Sequence, residues 1–221
     1  MKVLVACEES QRVCTAFRSK GHEAYSCDVV DCSGGYPEWH IKGDVLPLLN
    51  GYCSFVTCDG VQHDIKCQWD LIIAHPPCTY LTVTGNRWFN VDKYGDKALQ
   101  RIEKRKMAID FFYQFVNAYC SKICIENPVG IINSCYRKPN QIIQPYMFGD
   151  SAEKRTCLWL KGLPNLIPTN VVLPPPRKQY KSGKSMPKWY AEAWELPKDE
   201  RSKLRSMTFP GVANAMAEQW G

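Results

Sequence analysis

Leu71-Ile72-Ile73-Ala74 is the feature that most constrains this chain. Four apolar residues in a row, without alternation, suit a strand buried on both faces of a parallel sheet. The run stops at His75-Pro76-Pro77, because two residues without an N–H cannot continue a sheet ladder. Cys78 follows that stiff turn. Similar runs recur at Lys2–Ala6, Glu23–Cys27, Lys122–Ile125 and Thr156–Leu160.

Helical stretches lie between these runs. Ser10 is placed to cap a helix reaching about Lys20, with Gly21 as its stop signal. The strongest helix is expected near 96–119, where Leu99, Ile102, Ile109, Phe112, Val116 and Tyr119 form one stripe. Residues 52–67 read as a hairpin turning at Asp59-Gly60, and 211–220 as a closing helix. Strands alternating with helices predict an α/β fold, a mostly parallel sheet with helices on both faces. Ligands of such sheets collect at the carboxyl ends of the strands. Asp28, Cys78 and Glu126 each follow a predicted strand at that end.

Composition excludes little. The hydrophobic share of 45% and charged share of 23% are those of a globular chain. The opening "MKVLVACEES" has too short an apolar run for a signal peptide or membrane span, so an intracellular, cytoplasmic protein is expected. On that reading the twelve cysteines are reduced thiols, with Cys27, Cys120 and Cys124 as small core residues. The net charge of +6 is compatible with a polyanionic partner. Much of it sits in residues 174–188, where Arg177, Lys178, Lys181, Lys184 and Lys188 stand without an acid. Two readings stay open there: a solvated mobile loop, or an arm contacting phosphates.

Cys78 and Glu126 permit a defined chemistry. A thiolate held by two prolines is a positioned nucleophile, and a carboxylic acid beside it can donate to a ring nitrogen. Cys53, Cys58, His63 and Cys67 do not have the paired spacing of common zinc sites, and no metal is expected. His75 reads as a packing residue. Trp88 reads as lining a mobile loop after Cys78.

Pro76-Pro77-Cys78 resembles the nucleophile motif of the DNA cytosine-5 methyltransferase family, and Glu126-Asn127-Pro128 its "ENV" motif. In "EKRTCLWL", Arg155 stands as the second arginine of the family's arginine motif does, and "VANAMAEQW" is similar to its last helix, with Asn214 at the asparagine position. Asp28 matches the acid that holds the cofactor ribose, and Asp44 the acid near the adenine. The ordered set spans nearly the whole chain and looks most like the short members carried by phages and prophages.

The resemblance implies a Rossmann-like S-adenosylmethionine-dependent methyltransferase fold. The catalytic core would span 1–160, a reduced basic and proline-rich recognition region 161–209, and a helix returning to the core 210–221. Cys78 would add to C6 of cytosine, Glu126 would protonate or hydrogen-bond N3, and Arg155 would hold the base or orient the carboxylate. Cys7, Glu9, Ser10, Asp28, Asp44, Pro76 and Asn214 would bind S-adenosylmethionine, and DNA would be the partner. Read without the resemblance, Asp28 and Asp44 are equally turn residues and Arg155 equally a surface ion-pair residue. The chain departs from the family's glycine-rich first turn. "ACEESQRV" contains no glycine, and Glu8 and Glu9 stand where small residues are expected. A non-catalytic binding protein with this fold, and an enzyme acting on a free nucleotide, are the alternatives.

Overall fold

A computed structural model describes residues 1–221. The chain opens with β1 (Lys2–Ala6), α1 (Arg12–Ser19), β2 (Glu23–Asp28) and β3 (His40–Lys42). A hairpin, β4 (Cys53–Val56) and β5 (Gln62–Ile65), precedes β6 (Leu71–Ala74). Then come α2 (Val91–Tyr94), α3 (Asp96–Val116), β7 (Ile123–Pro128), α4 (Ile132–Cys135), β8 (Gln141–Ile143) and β9 (Thr156–Lys161). A small hairpin, β10 (Arg177–Gln179) and β11 (Ser185–Pro187), leads to α5 (Lys188–Glu192), α6 (Lys198–Ser206) and α7 (Pro210–Trp220).

Seven strands form one sheet in the order β3-β2-β1-β6-β7-β9-β8. The pairings from β3 to β7 are parallel, and β9 runs antiparallel to both β7 and β8. The direction of winding reverses between β1 and β6, the position where open α/β sheets leave a crevice at the strand ends.

Successive side chains alternate between two apolar layers, as the period of a strand requires. Leu4, Ile72, Ile123 and Ile125 face Phe112 and Phe115 of α3 and the β4–β5 hairpin residues Phe55 and Ile65. Val3, Val5, Ile73 and Cys124 face Val13 and Phe17 of α1 and Met216 and Trp220 of α7. Helices therefore cover both faces, and all twelve cysteines are free thiols. Cys27, Cys120 and Cys124 are core residues, as expected. No helix is long and apolar enough to cross a membrane.

Three expectations are corrected. The apolar stripe of α3 is out of phase at its start. Ala98 is buried while Leu99, about 100° further round the helix, is 52% exposed. The first half of α3 packs on the turn after Cys78, with Arg101 over Tyr80 and Phe89, and only the second half reaches the sheet. Tyr119 lies beyond the end of the helix and is exposed. Ser10 does not cap α1. The Glu8 carboxylate does, accepting from the backbone N–H of Val13 at 2.6 Å and of Cys14 at 3.1 Å. Residues 177–187 form a hairpin rather than an irregular loop, closed by a turn in which Gly183 has φ +76°.

Candidate functional site

Two neighbouring strands deliver the site. In the parallel register Ala74 stands opposite Ile125, so the next residues of β6 and β7, His75 and Glu126, leave the sheet side by side. His75 Nδ1 lies 2.9 Å from Glu126 Oε2. Only 9% and 11% of the two side chains is exposed, so water does little to screen the pair.

The loops beyond are joined to each other. Asn127 Nδ2 donates to the Pro76 carbonyl at 2.7 Å from a buried position. Val83 N–H donates to Val129 O at 3.3 Å and Ile131 N–H to Leu81 O at 2.9 Å, around a bridge between Thr82 and Gly130. Gly130 permits this approach, since a Cβ there would sit 2.0 Å from the Leu81 carbonyl oxygen. The prolines stop the ladder of β6, and this backbone link fixes where the chain goes next.

Cys78 is half-buried in that frame. Burial pushes its thiol pKa up, and the negative charge of Glu126 pushes it further. The positive charges of Lys154 and Arg205 offset part of the rise. For Glu126, burial acts upward but is outweighed by the hydrogen bond from His75 and the charge of Lys154, leaving its pKa below the ordinary value. At neutral pH the site thus holds a carboxylate and a protonated thiol. A carboxylate only accepts hydrogen bonds, so His75 Nδ1 carries the hydrogen between them.

The cation that reaches this pair is Lys154, not Arg155. Lys154 Nζ is tied to the Met207 carbonyl at 3.2 Å, and Arg205 packs over the Tyr190 ring two residues earlier. Arg155 is exposed, and its charge acts on Cys157.

The residues expected to hold a cofactor divide into two groups. Cys7, Asp28 and Asp44 converge: burial raises the Cys7 thiol pKa, and both carboxylates and Cys27 raise it further. Asp28 accepts from Val30 N–H at 3.3 Å and Asp44 from Leu46 N–H at 3.0 Å, so each also closes its own turn. Glu9 accepts from the Ser33 hydroxyl through Oε2, and its Oε1 is buried with no partner. Ser10 and Asn214 instead line a cavity of about 430 Å³ beside α1, with Arg12, Thr15 and Ser33. Pro76 contributes its carbonyl to Asn127. A larger cavity of about 600 Å³, lined by Arg12, Asp150, Trp189, Leu204 and Met207, adjoins it. Neither cavity is lined by Cys78 or Glu126.

The loop from β1 to α1 has no glycine, yet it bends as glycine would. Cys7 has φ +58° and Gln11 φ +55°, in the left-handed region that costs ordinary residues energy. The glycine is supplied from the next loop. A Cβ on Gly34 would lie 2.6 Å from that of Gln11, so only glycine lets the two loops close.

Cys53, Cys58, His63 and Cys67 do not gather into a ligand set. Both ring nitrogens of His63 are taken, by the Tyr25 and Thr57 hydroxyls at 3.1 Å each. Trp88 packs against Tyr94 and is 41% exposed.

Of the residues at the site, sequence reasoning read His75 as packing, quoted Asn127 only within its motif, and gave Lys154 and Arg205 no role. Register alone could have found His75, by aligning the ends of the two apolar runs. Lys154 and Arg205 are brought in by tertiary packing that leaves no local pattern. Compared with protein-family models and with curated proteins, the chain matches none.

Proposed function

We propose that this chain is an S-adenosylmethionine-dependent methyltransferase that acts on C5 of cytosine in DNA, with Cys78 as nucleophile. The observation that carries the reading is that Cys78 and Glu126 leave the carboxyl ends of the adjacent parallel strands β6 and β7, whose loops the Asn127–Pro76 bond ties together. The Asn127–Pro76 bond and the backbone link at Gly130 support it, since a nucleophile held in place loses less entropy in reacting. The sheet supports the finer fold assignment, a Rossmann-like methyltransferase with residues 161–209 as a small appended unit. Its winding reverses at β1 and β6, beside the site.

The residues present fit the cofactor. Asp28 and Asp44 are two acceptors beside the end of β2, suited to ribose hydroxyls and an adenine amino group. The buried, unpartnered Glu9 Oε1 suits an ammonium. S-adenosylmethionine would supply an electrophilic methyl group. Cys78, once its proton has passed to solvent, adds through its sulfur to C6 of the ring. Glu126, protonated for this step, donates to N3 as electron density builds at C5. Loss of the C5 hydrogen as a proton and of the sulfur from C6 then releases the methylated ring. Lys154 and Arg205 lower the cost of the thiolate. A cytosine within duplex DNA would first leave the stack, because C6 is shielded there.

The test is transfer of labelled methyl from S-adenosylmethionine to cytosine in DNA by the purified chain. Cys78→Ser is expected to abolish it, and DNA carrying 5-fluorocytosine is expected to trap a covalent adduct on Cys78. If wild type gives neither labelled 5-methylcytosine nor adduct, the reading is wrong. One observation favours a second reading, a binding protein that keeps the fold without transfer. Glu8 already fills the N-terminal donors of α1, where a ligand carboxylate would otherwise bind. Cofactor and DNA binding unchanged by Cys78→Ser, with no transfer, would establish it.

A further inference from the structure

We propose that His75 is a positioning residue for Glu126: its Nδ1–H holds Oε2, leaves Oε1 free, and is the route by which a proton reaches the carboxyl. The proposal rests on the methyltransferase reading for what Glu126 does to substrate, but the pair itself is read from the coordinates.

Geometry carries it. The contact is 2.9 Å, nearly buried, and set by the register of two core strands rather than by flexible surface chains. Glu126 Oε1 has no hydrogen-bond partner in the chain and is not walled off. The other ring nitrogen, His75 Nε2, is buried without a partner. A histidine kept only for packing gains nothing from an orphaned polar atom, whose burial is costly.

The titratable and charged groups near the pair come from four segments. Glu126 lies on β7 and Glu8 on the loop after β1, where its charge and that of His75 interact. Lys154 precedes β9 and acts on Glu126 from outside the ring. Cys78, on the loop after β6, lies within reach of the Glu126 charge. Of the two acids near the ring, Glu126 is the one within bonding reach. Transfer breaks Nδ1–H and forms Oε2–H. An imidazolium and a carboxylate become a neutral imidazole, still protonated at Nε2, and a neutral carboxyl. The neutral carboxyl can then approach a ring whose electron density is rising.

The test needs no turnover. The chain has four histidines, so ring ¹⁵N–¹H correlations of labelled protein are resolvable, and His75→Gln assigns the resonance. In wild type, His75 is expected to carry hydrogen on Nδ1 at pH 7. In Glu126→Gln the Nδ1–H signal is expected to shift, because its acceptor has lost its charge. His22 should not move. An unprotonated Nδ1, or an Nδ1–H signal unchanged in Glu126→Gln, would overturn the proposal. Where methyl transfer is measurable, His75→Gln should flatten the pH profile more than it changes KM, and an unaltered profile would count against the proton route. Absent methyl transfer with an Nδ1–H signal that responds to Glu126→Gln would sink the function but not the pair.

Discussion

Cys78 is held as a thiol, the less reactive of its two forms. The thiolate attacks, not the thiol, and burial together with Glu126 keeps the proton on sulfur at neutral pH. The sign of each neighbour can be tested by alkylation followed by peptide mapping, which separates Cys78 from the other thiols. Glu126→Gln removes a negative neighbour, so the thiol pKa falls and modification at pH 8 should quicken. Lys154→Met removes a positive one, so the pKa rises and modification should slow. Each unit of pKa changes the thiolate fraction about tenfold, but a less basic sulfur is also less nucleophilic, so about threefold per unit is expected. Equal rates in both variants would mean that neither charge reaches the sulfur. Cys78 and Glu126 were legible because short motifs at strand ends carry their own signal. His75 was not, since a histidine after an apolar run looks the same whether it packs or pairs. Arg155 was chosen over Lys154 by motif position, whereas the fold turns the adjacent side chain inward.

At the scale of elements, the site depends on two loops being closed against each other. Gly130 is the contact point, and Gly130→Ala would drive a Cβ into the Leu81 carbonyl. Overpacking of this kind costs about 1–3 kcal/mol, measurable by urea unfolding. It should also loosen the Cys78 loop and speed its alkylation. Gly43→Ala is the control, with nothing within 4 Å of its added methyl, and is expected to stay within about 0.5 kcal/mol of wild type. Equal unfolding midpoints in the two variants would show that the link bears no load. The strands were legible where both faces are buried, as in Leu71–Ala74, because continuous apolar runs have few other uses. Strands β3 and β8 were not, being three residues each without such a run. The loop from β1 to α1 misled for a different reason. Its glycine-like bends are held by Cys7 and Gln11, with the close approach made by Gly34 more than twenty residues away.

At the scale of the molecule, net charge overstates what residues 174–188 offer to DNA. No acid lies within the stretch, but folding supplies them: Arg177 pairs with Glu153, Lys178 with Glu195 at 4.0 Å and Lys188 with Glu192 at 3.7 Å. Lys181 and Lys184, exposed at the tip of the β10–β11 hairpin, form no ion pair. A cation already facing a carboxylate releases fewer counterions when it meets a phosphate, so the two tip lysines should dominate the hairpin's share of any DNA affinity. Each phosphate contact contributes about 0.9 to the slope of log K against log salt on duplex DNA. Replacing Lys181 and Lys184 together by alanine should therefore reduce the slope by about 2, and Lys178 with Lys188 by clearly less, in fluorescence-anisotropy titrations between about 50 and 200 mM salt. A slope unchanged by the tip replacement would take the hairpin off the DNA path and leave any binding to the cations beside the strand ends. Sequence could count these charges but not pair them, because Glu153 lies more than twenty residues from Arg177 and meets it only through the packing of the segment between β9 and α7.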